Sequence, residues 1–415
     1  MKIYIFLFFY IASVFADTKP ITLEECIEAT LKNHPDIKKV SLEVLKSKSA
    51  VDIAKSDYLP QIDLWAQYNP TNTFALPQNG RFNTKQQDNL SLEASLSQKI
   101  YDFSKTIYQI DASKKDVDIS TLSLEQNSAF LVFNVKNLYD SIVFQNGVIE
   151  ARVSDIKTKE ELYEQAKSLV KEGLKTKVDE LSILSSLYSA KDELVSSVAQ
   201  KQKALSTLSL YMNKELKEQS VFEDRVDNIF SLQGIKEQIL AENLELKLIS
   251  KEVDKNTLLY SASKASSYGS IDVIASVSHQ DSLNTYDTKM VGVVAKIPLY
   301  SGGRIDAQSQ YLRISKEELR ESYGSKKLVI EDEINSLLID IKKLKQTIEA
   351  KKVLVDTSKL AKEISEARYK EGLSTYIEAL DASTTYLEAK LSLLEAKNSM
   401  RAIYNRLEYL KGSMQ

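Results

Sequence analysis

The chain contains an internal repeat whose unit combines two amphipathic strands with two long helices. A shift of about 199 residues places the segment 171–174 (Lys-Glu-Gly-Leu) on the identical segment 370–373. Farther upstream the offset becomes about 209, and 61–64 then falls on 270–273. A repeat of this length is typical of a duplicated structural unit, so it restricts the fold to an architecture built twice. We attribute the change in offset to a shorter inter-strand loop in the second copy.

Two long helices in each copy are predicted from composition. All six prolines lie at or before position 298, and two stretches of more than 100 residues contain none. These stretches are rich in Ala, Leu, Lys, Glu and Ser, which is typical of long helices. In each copy a tight turn joins the longer helix, roughly 105 Å if continuous, to a returning helix. The predicted helices cover about 101–172, 175–213, 304–371 and 374–411.

Each returning helix carries a stripe of apolar residues at spacings near three and four, which indicates helix pairs packed as coiled coils. The stripe of the first copy consists of Val178, Leu181, Leu184, Tyr188, Val195 and Val198. The stripe of the second copy consists of Ile377, Leu380, Thr384, Leu387, Leu391 and Leu394.

Before each long helix the apolar period changes from 3.6 to 2, which indicates strands that are apolar on one face. The pattern matches the wall of an outer-membrane barrel, and a soluble two-faced sheet is the alternative. A membrane sheet must close on itself, and four strands are too few, so two or three copies would have to combine their strands. The polar helices would then lie in water beneath the barrel. The predicted strands cover about 61–69, 89–99, 270–279 and 289–299, with a polar loop at 69–88 between the first two.

The first 16 residues are predicted to be a cleavable signal peptide. Lys2 precedes an apolar run from Ile3 to Phe15, and Val14-Phe15-Ala16 is an acceptable cleavage site. An uncleaved anchor is the alternative, although the run is too short to span a bilayer comfortably. The predicted organisation is a signal peptide (1–16), a first repeat (17–213), a connector (214–234), a second repeat (235–411) and a tail (412–415).

Composition gives little support for an enzyme. Cys26 is the only cysteine, and the only histidines, His34 and His279, lack companions at metal-ligand spacing. The net charge is −3 and no basic block is present, so nucleic acid is not an indicated partner. No nucleophile-elbow or metalloprotease motif occurs. We therefore predict no catalytic residue, cofactor or metal.

Three segments carry a family resemblance. Segment 296–303 reads Lys-Ile-Pro-Leu-Tyr-Ser-Gly-Gly, where the last strand becomes a long helix. Segment 369–381 reads Tyr-Lys-Glu-Gly-Leu-Ser-Thr-Tyr-Ile-Glu-Ala-Leu-Asp at the second turn, and 33–36 reads Asn-His-Pro-Asp at the start of a helix. On these segments, and over nearly the whole mature chain, the sequence resembles the TolC-type outer-membrane efflux proteins.

The resemblance implies a mainly helical fold with membrane strands, assembled as a homotrimer. Four strands per chain would form a 12-stranded barrel in the outer membrane of a Gram-negative cell, above a helical tunnel in the periplasm. Outer-membrane lipid, a periplasmic adaptor and an inner-membrane pump are the implied partners. The implied function is the exit duct of a tripartite efflux system for small molecules, and a duct for type I protein secretion is the alternative. A periplasmic coiled-coil scaffold with a soluble sheet is a further alternative.

The resemblance also implies roles for residues at the two turns. Glu378 and Asp381 match acidic residues that ring the periplasmic entrance, where carboxylates favour cations. Solvated side chains near a helix N-terminus are the alternative for this pair. The turn residues themselves are candidates for contact with the adaptor, against simple turn packing: Gly173, Leu174, Gly372 and Leu373.

Two further positions match a pair that holds the tip of the tunnel shut. These are Asp179 and Tyr369, which in the family join neighbouring helices. The family often has an arginine where this chain has Ser374. An arginine latch is therefore absent or replaced, and Lys175 and Lys177 are candidate substitutes.

Overall fold

The computed structural model describes residues 20–216, 220–224 and 232–413. The predicted signal peptide, parts of the connector and the end of the tail lie outside the described residues. Within them, helices and strands follow one another in this order: α1 (Leu23–Asn33), α2 (Pro35–Ser56), β1 (Gln61–Gln78), β2 (Arg81–Tyr101), α3 (Lys105–Lys171), α4 (Lys177–Met212), α5 (Ile235–Glu242), α6 (Leu244–Ala265), β3 (Ser270–Asp281), β4 (Tyr286–Lys296), α7 (Arg304–Lys370) and α8 (Tyr376–Lys411).

Three of the four helix pairs in the two copies of the repeat have equal lengths, while α1 and α5 have 11 and 8 residues. Helices α3 and α7 have 67 residues each and begin at residues 105 and 304. Helices α4 and α8 have 36 residues each, and α2 and α6 have 22 each. The predicted fold class, a duplicated unit of long helices and a strand pair, is confirmed.

The four strands form one antiparallel sheet in the order β1-β2-β3-β4. The first two strands are longer than predicted, because residues 69–88 continue the strands and meet at a turn at Asn79-Gly80. A register shift between Asn69 and Asn72 interrupts the pairing of β1 with β2. Most of these residues are polar, and the apolar ones, such as Phe74, Ala75 and Leu76, follow one another without alternating, so the stretch lacks the period of two that marks a half-buried strand.

The predicted apolar faces of the four strands lie on one side of the sheet. Ile62 is paired with Leu96, Leu96 with Ala275, and Ala275 with Val291, which gives one row across all four strands. Residues directly opposite one another in antiparallel strands point to the same side. Ile62 is 74% exposed and Val291 is 83% exposed. The sheet therefore presents an uncovered apolar face, which is typical of an interaction surface or a lipid-facing surface.

The chain divides into two compact units. The sheet unit comprises Asp36–Asn127 and Lys236–Asp332, and the helical unit comprises Met1–Pro35, Ser128–Ile235 and Glu333–Gln415. In the helical unit, α1 packs on α4 through a buried cluster that includes Cys26, Tyr139 and Leu208. The Tyr139 hydroxyl lies 2.9 Å from the carbonyl oxygen of Ile21 and 2.8 Å from that of Glu223. These contacts attach the segment before α1 to the connector between the two repeats.

Most of the predicted apolar stripe on α4 does not face the core of the chain, although Leu184 packs against the buried Leu187 cluster. Val178, Tyr188 and Val195 are 67%, 64% and 66% exposed. The buried face of α4 carries Ile183 and Leu187 instead, which were not in the predicted stripe. The helix has two apolar faces, and spacing alone cannot tell which of them packs within the chain. The packing of this stripe in a coiled coil stays a prediction.

Candidate functional site

Two helix-turn-helix tips, residues 168–180 and 367–381, contain all the residues predicted from the sequence to form the channel entrance, the latch or the adaptor contact. In each turn the glycine amide donates to the carbonyl three residues earlier, and the next amide donates to the carbonyl five residues earlier. This hydrogen-bond pattern is the Schellman motif, which needs a residue with positive φ. Gly173 and Gly372 supply it, with φ values of 76° and 73°. The following Leu174 and Leu373 are 65% and 69% exposed.

The repeat places an N-cap and an acidic residue at equivalent positions after each turn. Thr176 caps α4, and Asp179 closes a reciprocal capping box by accepting the amide of Thr176. Thr375 caps α8 by accepting the amide of Glu378, while the Glu378 carboxylate accepts the Thr375 hydroxyl at 3.3 Å. The Asp179 carboxylate is therefore bound to backbone, whereas the Glu378 carboxylate is held only by a side chain.

Glu378 and Asp381 are both exposed and lie three residues apart near the start of α8. Side chains at this spacing share a helix face, so the two carboxylates are neighbours on the surface of the chain. Neither has an ion-pair partner in the described part of the chain. The structure thus leaves both carboxylates available to solvent. Their role at a channel entrance stays a prediction.

The side chain of Tyr369 is fully buried at the second tip. It belongs to a cluster drawn from all four long helices, with Leu162 and Ala166 of α3, Ile183 of α4 and Ala379 of α8. Its hydroxyl has no hydrogen-bond partner among the described residues. The predicted partner, Asp179, is bound to Thr176, although burial and then the charge of Asp179 raise the pKa of Tyr369.

Lys175 of the first tip lies beside the ring of Tyr369. The Nζ atom of Lys175 lies 5.7 Å from the centroid of the Tyr369 ring, within the range of a cation–π contact. Lys177 instead forms an ion pair with the buried Glu180 on its own helix. Ser374 donates a long hydrogen bond of 3.4 Å to the carbonyl of Ser365. Of the two lysines predicted from the sequence as substitutes, Lys175 is the one that contacts Tyr369 within the described part of the chain.

A buried polar contact between α3 and α8 was missed by the sequence reasoning. Asp155 and Lys159 form a buried ion pair on α3, and the hydroxyl of Ser383 on α8 donates to Asp155. Farther along the same helix pair, the Asn405 amide donates to Asp140 at 2.8 Å. The available signal was the presence of charged residues, such as Asp140, Asp155 and Lys159, on the apolar face of α3.

The described residues contain no group of three or more His, Cys, Asp or Glu side chains that could hold a metal ion. None of the described helices is both long and apolar enough to cross a membrane.

Comparison with known proteins gives concordant results. The chain is similar to the CmeC outer membrane channel of Campylobacter jejuni, with 17% identity, a TM-score of 0.82 and coverage of 94% of this chain and 85% of that one. For VceC of Vibrio cholerae the identity is 16%, the TM-score 0.81 and the coverage 94% and 96%. For the open state of the MtrE channel of Neisseria gonorrhoeae the identity is 16%, the TM-score 0.78 and the coverage 94% of this chain and 89% of that one.

Curated protein sequences give no match to the chain. A family model described as "Outer membrane efflux protein" matches residues 26–214 and 235–413. These two segments cover nearly all of both repeats. The chain therefore belongs to the outer membrane efflux protein family, whose members are trimeric channels of the outer membrane and not enzymes.

Proposed function

We propose that this chain forms the outer-membrane exit duct of a tripartite efflux system that exports small molecules. The observation that carries the proposal is the exposed apolar face of a sheet whose outer strands, β1 and β4, have no partner on one side among the residues that the structure describes. An open edge is not tolerated in lipid, so β1 of one copy would pair with β4 of the next. With four strands per copy this pairing is antiparallel throughout, and three copies form a twelve-stranded barrel.

The helical unit supports assembly as a homotrimer. In addition to the exposed stripe on α4, helix α7 carries three exposed apolar side chains. Val353, Leu360 and Ile364 are 63%, 59% and 60% exposed. Apolar rows on water-exposed helices are unfavourable unless another surface covers them. In the trimer, these rows supply the contacts between neighbouring chains around a periplasmic tunnel.

The tips form the gate of this duct. The carboxylates of Glu378 and Asp381 line its periplasmic entrance, where several copies attract cations and oppose anions. Tyr369, with Lys175 above it and Asp179 nearby, holds the four helices together in the closed state. Opening is a shift of population toward splayed tips, stabilised by a periplasmic adaptor that contacts the exposed Leu174 and Leu373 and works with an inner-membrane pump.

The mature chain reaches the outer membrane of a Gram-negative cell after removal of residues 1–16, with its helices in the periplasm. Mass spectrometry of the mature N-terminus checks this part of the proposal. We expect a chain that begins at Asp17.

Single-channel recording of the detergent-purified protein in a planar bilayer tests the proposal. A duct gives discrete conductance steps that favour cations. A folded oligomer that gives no steps, and that salt alone releases from membranes, would instead be a periplasmic scaffold. Expression in a host that lacks its own duct separates the two transport functions. Restored resistance to toxic small molecules supports efflux, whereas restored protein export without resistance identifies a secretion duct.

A further inference from the structure

The apolar band on one face of the sheet does not run straight across the strands. Leu90 and Leu92 belong to this band on β2, but they pair with the polar Asp281 and His279 on β3. The last apolar residue of the band on β3 is Val277, which lies four residues before Asp281. Between β2 and β3 the limit of the band therefore moves four residues toward the helices.

The shift continues from β3 to β4. Val277 pairs with Lys289, and the first apolar residue of the band on β4 is Val291, two residues nearer the helices. No shift occurs between β1 and β2, since Tyr68, the last apolar residue of the band on β1, pairs with Leu90. The shift accumulated across one chain is therefore six residues.

In a membrane this shift reports the tilt of the strands. The apolar layer of a bilayer has a constant height, so a band that slides along successive strands indicates strands inclined to the membrane normal. Copies related by rotation about a pore axis carry their bands at the same height. The β1 strand of the next copy is therefore offset from the line of paired residues that starts at β1 of the first copy. The offset is at least six residues, because the band has already moved that far at β4.

Barrel geometry limits the offset from above. Four strands about 4.8 Å apart span about 19 Å, and six residues at about 3.4 Å each span about 20 Å, which corresponds to a tilt of about 45°. Eight residues would correspond to about 55°, which exceeds the range of roughly 35–45° in outer-membrane barrels. An odd offset is excluded, because a slip of one residue would turn the apolar side chains of β1 to the other face. An offset of six residues satisfies both limits.

This offset determines which side chains meet where two copies join. Within one chain, the line of paired residues runs from Gln61 on β1 to Gly292 on β4. With an offset of six residues, Gly292 pairs with Gln67 of the next copy. Because the two strands are antiparallel, Lys296, four residues after Gly292, then pairs with Asp63 of that copy.

Asp63 and Lys296 lie on the face of the sheet opposite the apolar band. Each directly follows a residue of the apolar face, Ile62 or Ala295, and successive residues of a strand point to opposite faces. Both side chains are exposed, and neither has an ion-pair partner within residues 20–216, 220–224 and 232–413. In the barrel this face lines the lumen, so a carboxylate and an ammonium group face the same aqueous space at the two edges of the sheet.

The charges select the same offset as the tilt does. An offset of four residues would place Lys296 opposite Gln61, and an offset of eight would place it opposite Trp65. Neither side chain is charged. With an offset of six residues, the ammonium group of Lys296 lies opposite the carboxylate of Asp63.

We infer that Lys296 of each copy forms an ion pair with Asp63 of the next copy on the lumenal side of the barrel, and that this pair fixes the register of β4 against β1. The inference rests on the barrel of the proposed function. An ion pair in contact with water adds little affinity, but it disfavours registers that leave either charge without its partner. The two sheet edges are thereby matched to a second copy of this chain in one register.

Disulfide trapping in the detergent-purified protein tests the register. Three variants in a Cys26→Ala background carry Lys296→Cys together with Asp63→Cys, Gln61→Cys or Trp65→Cys, and the last two are matched controls for the alternative offsets. Directly opposed residues have Cα atoms about 4.5–5.5 Å apart, within reach of a disulfide, whereas residues displaced by two positions are about 7–8 Å apart. Because the two positions lie on opposite edges of one sheet, a disulfide joins different copies and yields a covalent dimer or trimer on a non-reducing gel.

We expect the Asp63→Cys/Lys296→Cys variant to yield roughly fivefold or more covalent oligomer than either control. A higher yield through Gln61→Cys or Trp65→Cys overturns the inference and leaves the duct intact. No covalent oligomer from any of the three variants also overturns it, and conductance steps recorded from the same samples then show that the barrel itself forms. Absence of both covalent oligomer and conductance in the Cys26→Ala background, with steps absent from wild type, means that the proposed function has failed.

Charge reversal gives a second readout that needs no introduced cysteine. Asp63→Lys and Lys296→Asp should each lower the temperature at which the oligomer dissociates in detergent, and the double reversal should recover at least half of that loss. Glu93→Lys, which reverses a charge on the same face of the central strand β2, is the control and should show no recovery when combined with Lys296→Asp. Additive losses in the double reversal overturn the inference.

Discussion

Lys175 of the first tip places its ammonium group 5.7 Å from the ring centroid of Tyr369, which belongs to the second copy of the repeat. The contact joins the two helix-turn-helix tips of one chain without a hydrogen bond to the tyrosine hydroxyl. Holding the tips together therefore depends on the ring of Tyr369, both through its burial and through its negative face.

Substitutions at this contact distinguish the contribution of the tyrosine ring from that of its hydroxyl. Tyr369→Phe should leave thermal stability and resting conductance unchanged, because the hydroxyl has no hydrogen-bond partner among the described residues. Tyr369→Ala should cost about 3–5 kcal/mol, as other buried aromatic truncations do, and raise resting conductance. Lys175→Gln should cost about 0.5–1 kcal/mol, while the control Lys171→Gln should have no effect. A Phe variant that leaks as much as the Ala variant would show that the hydroxyl is bonded in the assembled channel.

The acidic pair on α8 should set the ion preference of the channel. Glu378→Gln/Asp381→Asn keeps side-chain size but removes two carboxylates per chain, so the ratio of cation to anion permeability should fall by about twofold or more. Asp340→Asn/Asp356→Asn removes two exposed carboxylates from α7 and serves as the control. Reversal potentials under a salt gradient measure the ratio. An unchanged ratio in the α8 variant would place the selective constriction elsewhere.

The buried ion pair between Asp155 and Lys159 should respond asymmetrically to mutation. Lys159→Met leaves a buried carboxylate without its cation and should cost about 3–5 kcal/mol. Asp155→Leu/Lys159→Met removes both charges and should restore most of that loss. The control is Lys167→Met, which breaks an exposed pair with Glu164 and should cost at most about 1 kcal/mol. Thermal unfolding followed by circular dichroism compares the variants, and equal losses in the single and double variants would contradict the expectation.

Gly269, just before β3, should be intolerant of any side chain. A Cβ atom there would lie 2.0 Å from the carbonyl oxygen of Lys296, and the backbone has a φ of 89°. Gly80 has a similar φ of 79° with open space around it, so Gly80→Ala should cost only the conformational penalty of about 1–2 kcal/mol. Gly269→Ala should cost more and lower the yield of assembled protein. Similar yields and unfolding midpoints for the two variants would show that the backbone at β4 adjusts freely.

Asp102 should contribute to stability in a pH-dependent way. Burial opposes its charge, but the hydrogen bonds from Thr106 and Tyr58 outweigh burial and lower its pKa. A carboxyl with a lowered folded pKa stabilises the protein above its ordinary pKa of about 3.9, and this stabilisation is lost as the pH falls through the lowered value. Unfolding midpoints measured from about pH 6 down to about pH 2.5 should therefore fall less steeply in Asp102→Asn than in wild type. Parallel curves would exclude Asp102 as a source of the acid sensitivity.

Several features of the fold followed from local chemistry. The Thr-x-x-Glu capping box of α1, the glycine turns of both tips and the apolar period of the strands each depend on residues close in sequence. The equal lengths of α3 and α7 follow from the duplication, which the sequence displays directly. The candidate tip residues could be named in advance, because they lie within a few residues of a turn that a glycine marks.

Other features depend on which surfaces meet, and the sequence carried no period or motif for them. Residues 69–88 are mostly polar and their apolar side chains do not alternate, so only pairing with a neighbouring strand shows that they are extended. Helix α4 offers two apolar faces, and packing against the rest of the chain decides that Ile183 is buried and Tyr188 exposed. The absence of a hydrogen bond from the hydroxyl of Tyr369 to Asp179 and the burial of Asp155 with Lys159 are likewise products of tertiary structure. Local hydrogen bonds and the period of apolar side chains depend on residues close in sequence and can therefore be predicted from it. Burial and charge compensation depend on residues that the fold brings together from distant positions.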